Sequence, residues 1–188
     1  MLSLLPAYRL LKAWSLVVSV GLCLVAGCAV AQQSDDAALV LKDTSGQIVR
    51  SYTRDQFREE FTPRERTTDT PWSLGVPVGF RGPFLKDILA KNNLLGGSFE
   101  ISGADSFVAK ISSEEIERYA PILATEKKCT DEDKYSGACS PGQTYRLLSI
   151  DDGGPLYLIW PLHDLPPRYL PSRNAIWVWF VISIKALS

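Results

Sequence analysis

The sequence contains a single histidine, His163, which lies among prolines and precedes Asp164. A serine or cysteine triad needs a histidine base beside its nucleophile. The motifs G-x-S-x-G and H-E-x-x-H and a glycine-rich phosphate loop are also missing from the sequence. We expect His163 to be an exposed loop residue, with a role as general base as the alternative. The familiar signatures of hydrolases and nucleotide-binding enzymes therefore do not apply.

The sequence also lacks a strongly basic stretch, and its 20 Lys and Arg residues are balanced by 21 Asp and Glu residues. Without a basic face, nucleic-acid binding is not expected. The sequence has no internal repeat and no low-complexity segment. Residues 32–188 are enough for one domain with a sizeable core, and we expect a single domain there.

The first thirty residues have the pattern of a secretory signal. Arg9 and Lys12 precede the apolar run AWSLVVSVGLCLVAG, and small residues follow it. The run is short of the roughly 20 apolar residues of a membrane-spanning helix, although a retained anchor is the alternative. We predict a signal peptide at residues 1–31 that is cleaved after Ala31. The alternative is a lipobox, in which Cys28 would be lipidated. Either cleavage site predicts a periplasmic protein, and the lipobox would also anchor it to the membrane through the lipid on Cys28.

No cysteine lies between Cys28 and Cys129. Cys129 and Cys139 flank the polar loop TDEDKYSGA, and an exported chain meets an oxidising compartment. We therefore predict a disulfide between them. By reducing the entropy of the unfolded chain, it would stabilise the protein by about 2–3 kcal/mol. A metal site would need more soft ligands than this loop offers, so no metal is expected.

The hydrophobic pattern predicts many short strands and a few short helices. Capping boxes begin helices at Thr53 and Ser112, and helical spacing begins near Phe84. The predicted strands are a hairpin at 37–42 and 47–53, a second hairpin at 98–103 and 107–111, a strand at 121–127, two strands at 144–150 and 155–160 joined by a tight turn at 151–154, and a buried strand at 175–187. Four prolines exclude regular structure at 161–174. Without a βαβ rhythm, this order indicates a strand-rich α+β fold.

Arginines in loops are the first candidates for binding. Arg64, Arg66, Arg81, Arg168 and Arg173 occur among Pro, Gly and aromatic residues. Loops on a rigid scaffold concentrate binding residues, and a guanidinium suits an oxyanion or a phosphate. The alternative is that these are solvated charges without a shared pocket.

Five segments, in order, resemble one protein family. FRGPFLKDIL resembles the helix entry F-x-G-v-p-L-x-D-l-L of the sulfite-oxidase-type molybdopterin-binding fold, and ISGADSFVAKISSEEI resembles its hairpin and following helix. PILATE, GGPLYLIWP and RNAIWVWFVISIKAL are similar to its later strands, so the match spans roughly residues 47–187. The resemblance implies mixed sheets around a barrel-like core. It also implies a pocket for a pterin pyrophosphate or another anion.

The segment TTDTPWS, residues 67–73, lies where enzymes of this family hold molybdenum through one cysteine thiolate. Here the segment offers hydroxyls and an indole, and a threonine is a poor substitute for a soft thiolate. The resemblance places Thr68, Thr70 and Trp72 at the pocket, and we add Arg81 and Arg173 from their loop context. The sequence resembles small exported single-domain relatives that carry TTTPW-like segments in this place and have no assigned reaction.

Two functions follow from this resemblance. The first is a cofactor-free periplasmic binding or sensory module for a small anionic ligand or a partner protein. The alternative is an oxidoreductase that holds molybdopterin without a cysteine ligand. We expect no cofactor under the first interpretation and molybdopterin under the second.

Overall fold

The structure, a computed structural model, describes residues 38–166 and 176–188. Within this part the chain forms a strand-rich α+β fold of eleven strands and four helices. The strands are β1 (Leu39–Lys42), β2 (Ile48–Tyr52), β3 (Arg64–Thr68), β4 (Val78–Gly82), β5 (Ser98–Gly103), β6 (Val108–Ser112), β7 (Ile122–Ala124), β8 (Glu126–Lys128), β9 (Tyr145–Leu147), β10 (Tyr157–Ile159) and β11 (Val181–Leu187). The helices are α1 (Arg54–Glu60), α2 (Leu85–Lys91), α3 (Ser113–Tyr119) and α4 (Asp131–Tyr135). The predicted signal peptide and Arg173 lie outside the described residues.

The largest sheet is built around the last strand of the chain. Its order is β2-β1-β11-β5-β6, in which β1 and β11 are parallel and the other pairs are antiparallel. Ile184 of β11 is fully buried between Leu41 of β1 and Ile101 of β5, which are also fully buried. The predicted strand is therefore confirmed over residues 181–187, but it is buried on one face only, because Ile182 on the other face is 42% exposed. Residues 176–180 are irregular, and Phe180 has a positive φ of 51°.

Two smaller sheets hold the middle of the chain. One has the order β3-β4-β8-β9, and the other pairs β10 with β7. The Leu123 amide donates to the Pro83 carbonyl at 2.9 Å and the Thr125 amide donates to the Arg81 carbonyl at 3.0 Å, so β4 runs beside both β7 and β8. All three sheets are open in the described residues, and the expectation of a barrel-like core is wrong in this respect.

The predicted hairpin between residues 144–150 and 155–160 is also wrong. β9 pairs with β8 and β10 pairs with β7, so the two strands belong to different sheets. The connection is a 3-10 turn at Ile150–Asp152, closed by the Asp152 carboxylate, which accepts from the amide and hydroxyl of Ser149. This side-chain cap and the left-handed Gly153 (φ 83°) turn the chain out of the sheet that contains β9.

The short helices begin where the sequence indicates. The capping boxes at Thr53 with Gln56 and at Ser112 with Glu115 are both formed. The helix α2 ends at Lys91, ahead of the predicted stop at residues 96–97. None of the helices in the described ranges is long and apolar enough to cross a membrane.

The predicted disulfide is confirmed. Cys129 and Cys139 are bonded, with their Cα atoms 6.2 Å apart. Inside the loop, a capping box that the sequence analysis missed joins Thr130 to Asp133 and begins α4. The loop is therefore an ordered unit attached to β8 and β9.

Candidate functional site

The segment TTDTPWS is half strand and half turn. Thr67 and Thr68 end β3, and Thr68, Asp69 and Thr70 are all buried. The Thr68 hydroxyl accepts a hydrogen bond from the Leu162 amide at 3.0 Å and donates to the Asp69 carbonyl at 3.1 Å. Thr68 thus ties β3 to the 3-10 turn at Leu162–Asp164, and its hydrogen-bonding capacity is used within the protein.

A tight turn follows Thr70. The Ser73 hydroxyl accepts from the Thr70 amide at 2.9 Å, and the Ser73 amide donates to the Thr70 carbonyl at 3.1 Å. The turn projects the next apolar side chains outward: Leu74 is 94% exposed, and its φ is positive at 53°. Trp72 is intermediate between these two environments, with 46% of its surface exposed.

Trp72 lies at the rim of a group of aromatic rings. Its ring meets Trp179 edge to face at 4.8 Å between centroids, and Trp179 meets Tyr157 at 5.8 Å. Tyr157 also contacts Trp177, at 6.4 Å. We call Thr70, Trp72, Tyr157, Trp177 and Trp179 the indole cluster. It joins the predicted segment to β10 and to the irregular residues that precede β11.

Three polar atoms of the indole cluster are buried without a hydrogen-bond partner in the described part of the chain: the Tyr157 hydroxyl, the Trp177 Nε1 and the Trp179 Nε1. Burial raises the pKa of Tyr157, against smaller lowering contributions from the nearby Trp179 and Thr70 side chains. Both side chains are close enough to interact with the hydroxyl, although neither completes a hydrogen bond of regular geometry with it. An unpaired buried donor costs about 1–3 kcal/mol, and such groups in native proteins call for an explanation.

The cluster is held in place by a glycine beside it. Gly153 has a φ of 83°, and a Cβ added there would lie 3.2 Å from Cγ of Trp179. The Gly153 carbonyl accepts from the Phe180 amide at 2.8 Å. The turn before β10 therefore packs directly on the Trp179 ring.

Asp69 and His163 form a second polar contact next to the cluster. The Nε2 of His163 is 3.5 Å from Oδ2 of Asp69, and Oδ1 of Asp69 is buried without a partner among the described residues. The His163 side chain is 76% exposed, as the sequence predicts. The Asp69 carboxylate thus reaches the 162–164 turn, while the neighbouring Thr70 hydroxyl is close to Tyr157.

Arg81 lies away from the indole cluster. In β4 successive side chains point to opposite faces; Phe80 contacts the Tyr157 ring at 6.0 Å, whereas Arg81 faces Glu126 of β8, with Nη1 and Oε2 3.7 Å apart. The structure therefore brings Thr70 and Trp72 together and places Arg81 on the other side of the strand. Thr68 is nearby in the chain but structural, and Arg173 lies outside the described residues.

The described residues do not fit a molybdenum centre of the family type. Such a centre needs a free thiolate, and both cysteines in this part of the chain form the disulfide. In the ranges 38–166 and 176–188, no three His, Cys, Asp or Glu side chains are grouped to hold a metal ion. Hydroxyl and indole groups at residues 67–73 are hard or neutral donors and cannot replace a thiolate.

Comparison with known proteins adds no assignment. No protein-family model matches the chain, and no curated protein matches it significantly. The relationship to the sulfite-oxidase-type fold stays a prediction from the sequence.

Proposed function

We propose that this protein is a non-catalytic binding module that holds a small anionic ligand at the indole cluster. The observation that carries the proposal is the set of three buried, unpaired polar groups on Tyr157, Trp177 and Trp179. An indole N–H can only donate. The missing partner must therefore present acceptor atoms, as the oxygens of a carboxylate or another oxyanion do.

The surroundings define the ligand further. Trp72, with nearly half of its surface exposed, leads from solvent to the buried Trp179 edge. Asp69 is buried close by and carries a carboxylate, which disfavours a multiply charged anion. A small monoanion with an apolar part that packs on the indole faces fits these features best.

The finer assignments belong to the same proposal. We infer that the fold is that of the sulfite-oxidase-type molybdopterin-binding domains, reduced to a single exported, periplasmic domain. The order of five similar segments supports this relationship. Loss of the thiolate at residues 67–73 would leave a pocket that binds anions without redox chemistry.

The binding proposal is tested by titrating the full-length protein with acetate, nitrate and sulfate, followed by the indole N–H signals in ¹H–¹⁵N NMR spectra. We expect a monoanion to shift the Trp177 and Trp179 signals in a saturable way. Removing one donor weakens such binding by roughly tenfold or more, so Trp177→Phe and Trp179→Phe should both have this effect. Thr67→Val is a control, because Thr67 is an exposed threonine of β3, the strand that precedes Trp72 in the chain.

If none of the three anions shifted the indole N–H signals, the proposal of a small anionic ligand would be contradicted. They would favour the second candidate, a partner protein, for which the exposed Leu74 and Val76 beside Trp72 supply an apolar contact surface. Equal binding by wild type and Trp179→Phe would place the anion elsewhere on the protein.

A separate measurement tests the absence of redox chemistry. Protein purified from its native compartment is assayed for molybdenum by mass spectrometry and for pterin by fluorescence after oxidation. We expect neither in stoichiometric amount, because no free thiolate is present among the described residues. Stoichiometric molybdenum would overturn the binding-module proposal and establish the alternative, a molybdopterin-dependent oxidoreductase.

A further inference from the structure

We propose a second ligand site, for a small aromatic or apolar monocarboxylate, in a cavity between α1 and the end of β4. The cavity has a volume of about 180 Å³. Its polar wall is formed by Arg58, Arg81, Thr125 and Glu126, and its apolar wall includes Phe57 and Phe61. Charged and apolar side chains thus line one small space, as in sites for amphipathic ligands.

The charges on the polar wall are unequal. Arg58 Nη2 is 3.0 Å from Glu126 Oε1, and Arg81 Nη1 is 3.7 Å from Glu126 Oε2. Two guanidinium groups therefore share one carboxylate, and both of its oxygens are occupied. The wall has a surplus of one positive charge, which a monoanion would neutralise. Glu65 is opposite Arg81 in the β3–β4 register, but it is exposed and does not line the cavity.

One donor on this wall has no acceptor. The Arg81 Nε is buried and without a hydrogen-bond partner in the part of the chain that the structure describes. A guanidinium binds a carboxylate through two parallel N–H groups. Arg81 approaches Glu126 through Nη1 alone, so the Nε–H can pair with an incoming carboxylate oxygen once the Arg81 side chain shifts to expose it.

The size of the cavity limits the rest of the ligand. An apolar cavity of about 150 Å³ accepts a benzene ring in another protein, and this cavity is of similar size. Phe61, which is 6% exposed, and the fully buried Phe57 form the apolar side of the cavity, with their ring centroids 5.1 Å apart. Benzoate therefore matches the cavity in charge and in size.

This site is separate from the indole cluster. Arg81 and Phe80 are neighbours in β4 and point to opposite faces of the strand, so a ligand beside Arg81 cannot contact Tyr157. The two proposals therefore give different NMR signals. The second site is expected to move Arg81 and Thr125, whereas the first moves the Trp177 and Trp179 indoles.

The test is a ¹H–¹⁵N NMR titration of the full-length protein with benzoate and with its neutral analogue benzamide. We expect benzoate to shift the Arg81 Nε–H and Thr125 amide signals saturably, and benzamide to bind more weakly by roughly tenfold or more. Arg81→Gln should weaken benzoate binding by a similar factor. Arg118→Gln should leave it unchanged, because the Arg118 side chain is 65% exposed and pairs only distantly with Glu114, at 4.0 Å.

Three outcomes would overturn the second site. These are no saturable shift with benzoate, equal binding of benzoate and benzamide, or equal binding by wild type and Arg81→Gln. If Arg81→Gln does not fold, Arg58→Gln provides the same comparison from the other side of Glu126, and the benzoate–benzamide comparison needs no variant at all.

Discussion

Replacing Gly82 by alanine is expected to destabilise the protein by about 4 kcal/mol, which is a large fraction of the stability of a typical domain. A Cβ at Gly82 would lie 2.1 Å from the Leu123 carbonyl oxygen and 2.7 Å from the Ala124 Cα. Both atoms belong to the backbone of β7, so no side chain can rotate away. Relief requires β4 and β7 to separate, which breaks the Leu123–Pro83 and Thr125–Arg81 backbone hydrogen bonds.

The magnitude combines two effects. Overpacking a tight interior costs about 1–3 kcal/mol, and each lost backbone hydrogen bond costs about 1 kcal/mol. Urea denaturation followed by circular dichroism measures the change. Gly97→Ala is the matched control, since nothing lies within 4 Å of a Cβ at that glycine. A loss of less than about 1 kcal/mol for Gly82→Ala would show that β4 and β7 are not in the close contact described.

Local features of this fold could be predicted from the sequence, and the reason is physical. A capping box joins residues three apart, so Thr53 with Gln56 and Ser112 with Glu115 identify their own helix starts. The disulfide closes a loop with a sequence separation of only 10. Such interactions depend on few neighbours, and their outcome is visible in a short segment of sequence.

Pairing between distant strands could not be predicted in the same way. Strands β9 and β10 are consecutive and apolar, which favours a hairpin in the sequence pattern. Instead, β9 pairs with β8 and β10 pairs with β7. The sequence predicts β7 and β8 as one strand, but the structure divides that strand in two at Thr125. The Thr125 carbonyl accepts from the Leu148 amide at 2.9 Å, so the split is stabilised from outside its own segment.

The candidate site also has a part that could be predicted from the sequence and a part that could not. Thr70 and Trp72 were placed at the pocket by the resemblance, which puts TTDTPWS where the family's enzymes hold their metal. Tyr157, Trp177 and Trp179 were missed, because in an apolar run they are typical of core residues. What identifies them is a polar atom left unpaired after burial, and pairing is visible only in three dimensions. A sequence signal was present in the density of tryptophan before β11, with two of the five in the chain at 177 and 179.

Asp152 is the centre of a charged network that the sequence analysis interpreted only as a turn. Its carboxylate accepts from Lys127 Nζ at 2.8 Å and from Arg146 Nη2 at 3.1 Å, and Arg146 Nε also donates to Asp133 at 2.7 Å. The Asp152 side chain is 8% exposed. Although burial opposes ionisation, hydrogen bonds from Arg146, Lys127 and Ser149 outweigh it and lower the pKa of Asp152 well below its ordinary value. The network joins the disulfide loop, through Asp133, to the turn that packs on Trp179.

Asp152→Asn is expected to destabilise the protein by about 3 kcal/mol at neutral pH, because it removes the carboxylate that pairs with the half-buried Lys127 and Arg146 and leaves Asp133 to balance Arg146 alone. The sign of the pH dependence follows from the lowered pKa. The stabilisation is fully present above the unfolded-state pKa of about 4 and is lost as the pH falls through the folded-state pKa. The difference between wild type and Asp152→Asn in the free energy of unfolding should therefore be constant from pH 5 to 8 and shrink below about pH 4.

Urea denaturation at several pH values measures this difference. The control is Asp151→Asn, an exposed neighbour in the same turn, which should stay within about 0.5 kcal/mol of wild type. If the difference for Asp152→Asn did not shrink in acid, the ionised Asp152 carboxylate would not be the group that holds this turn against Lys127 and Arg146.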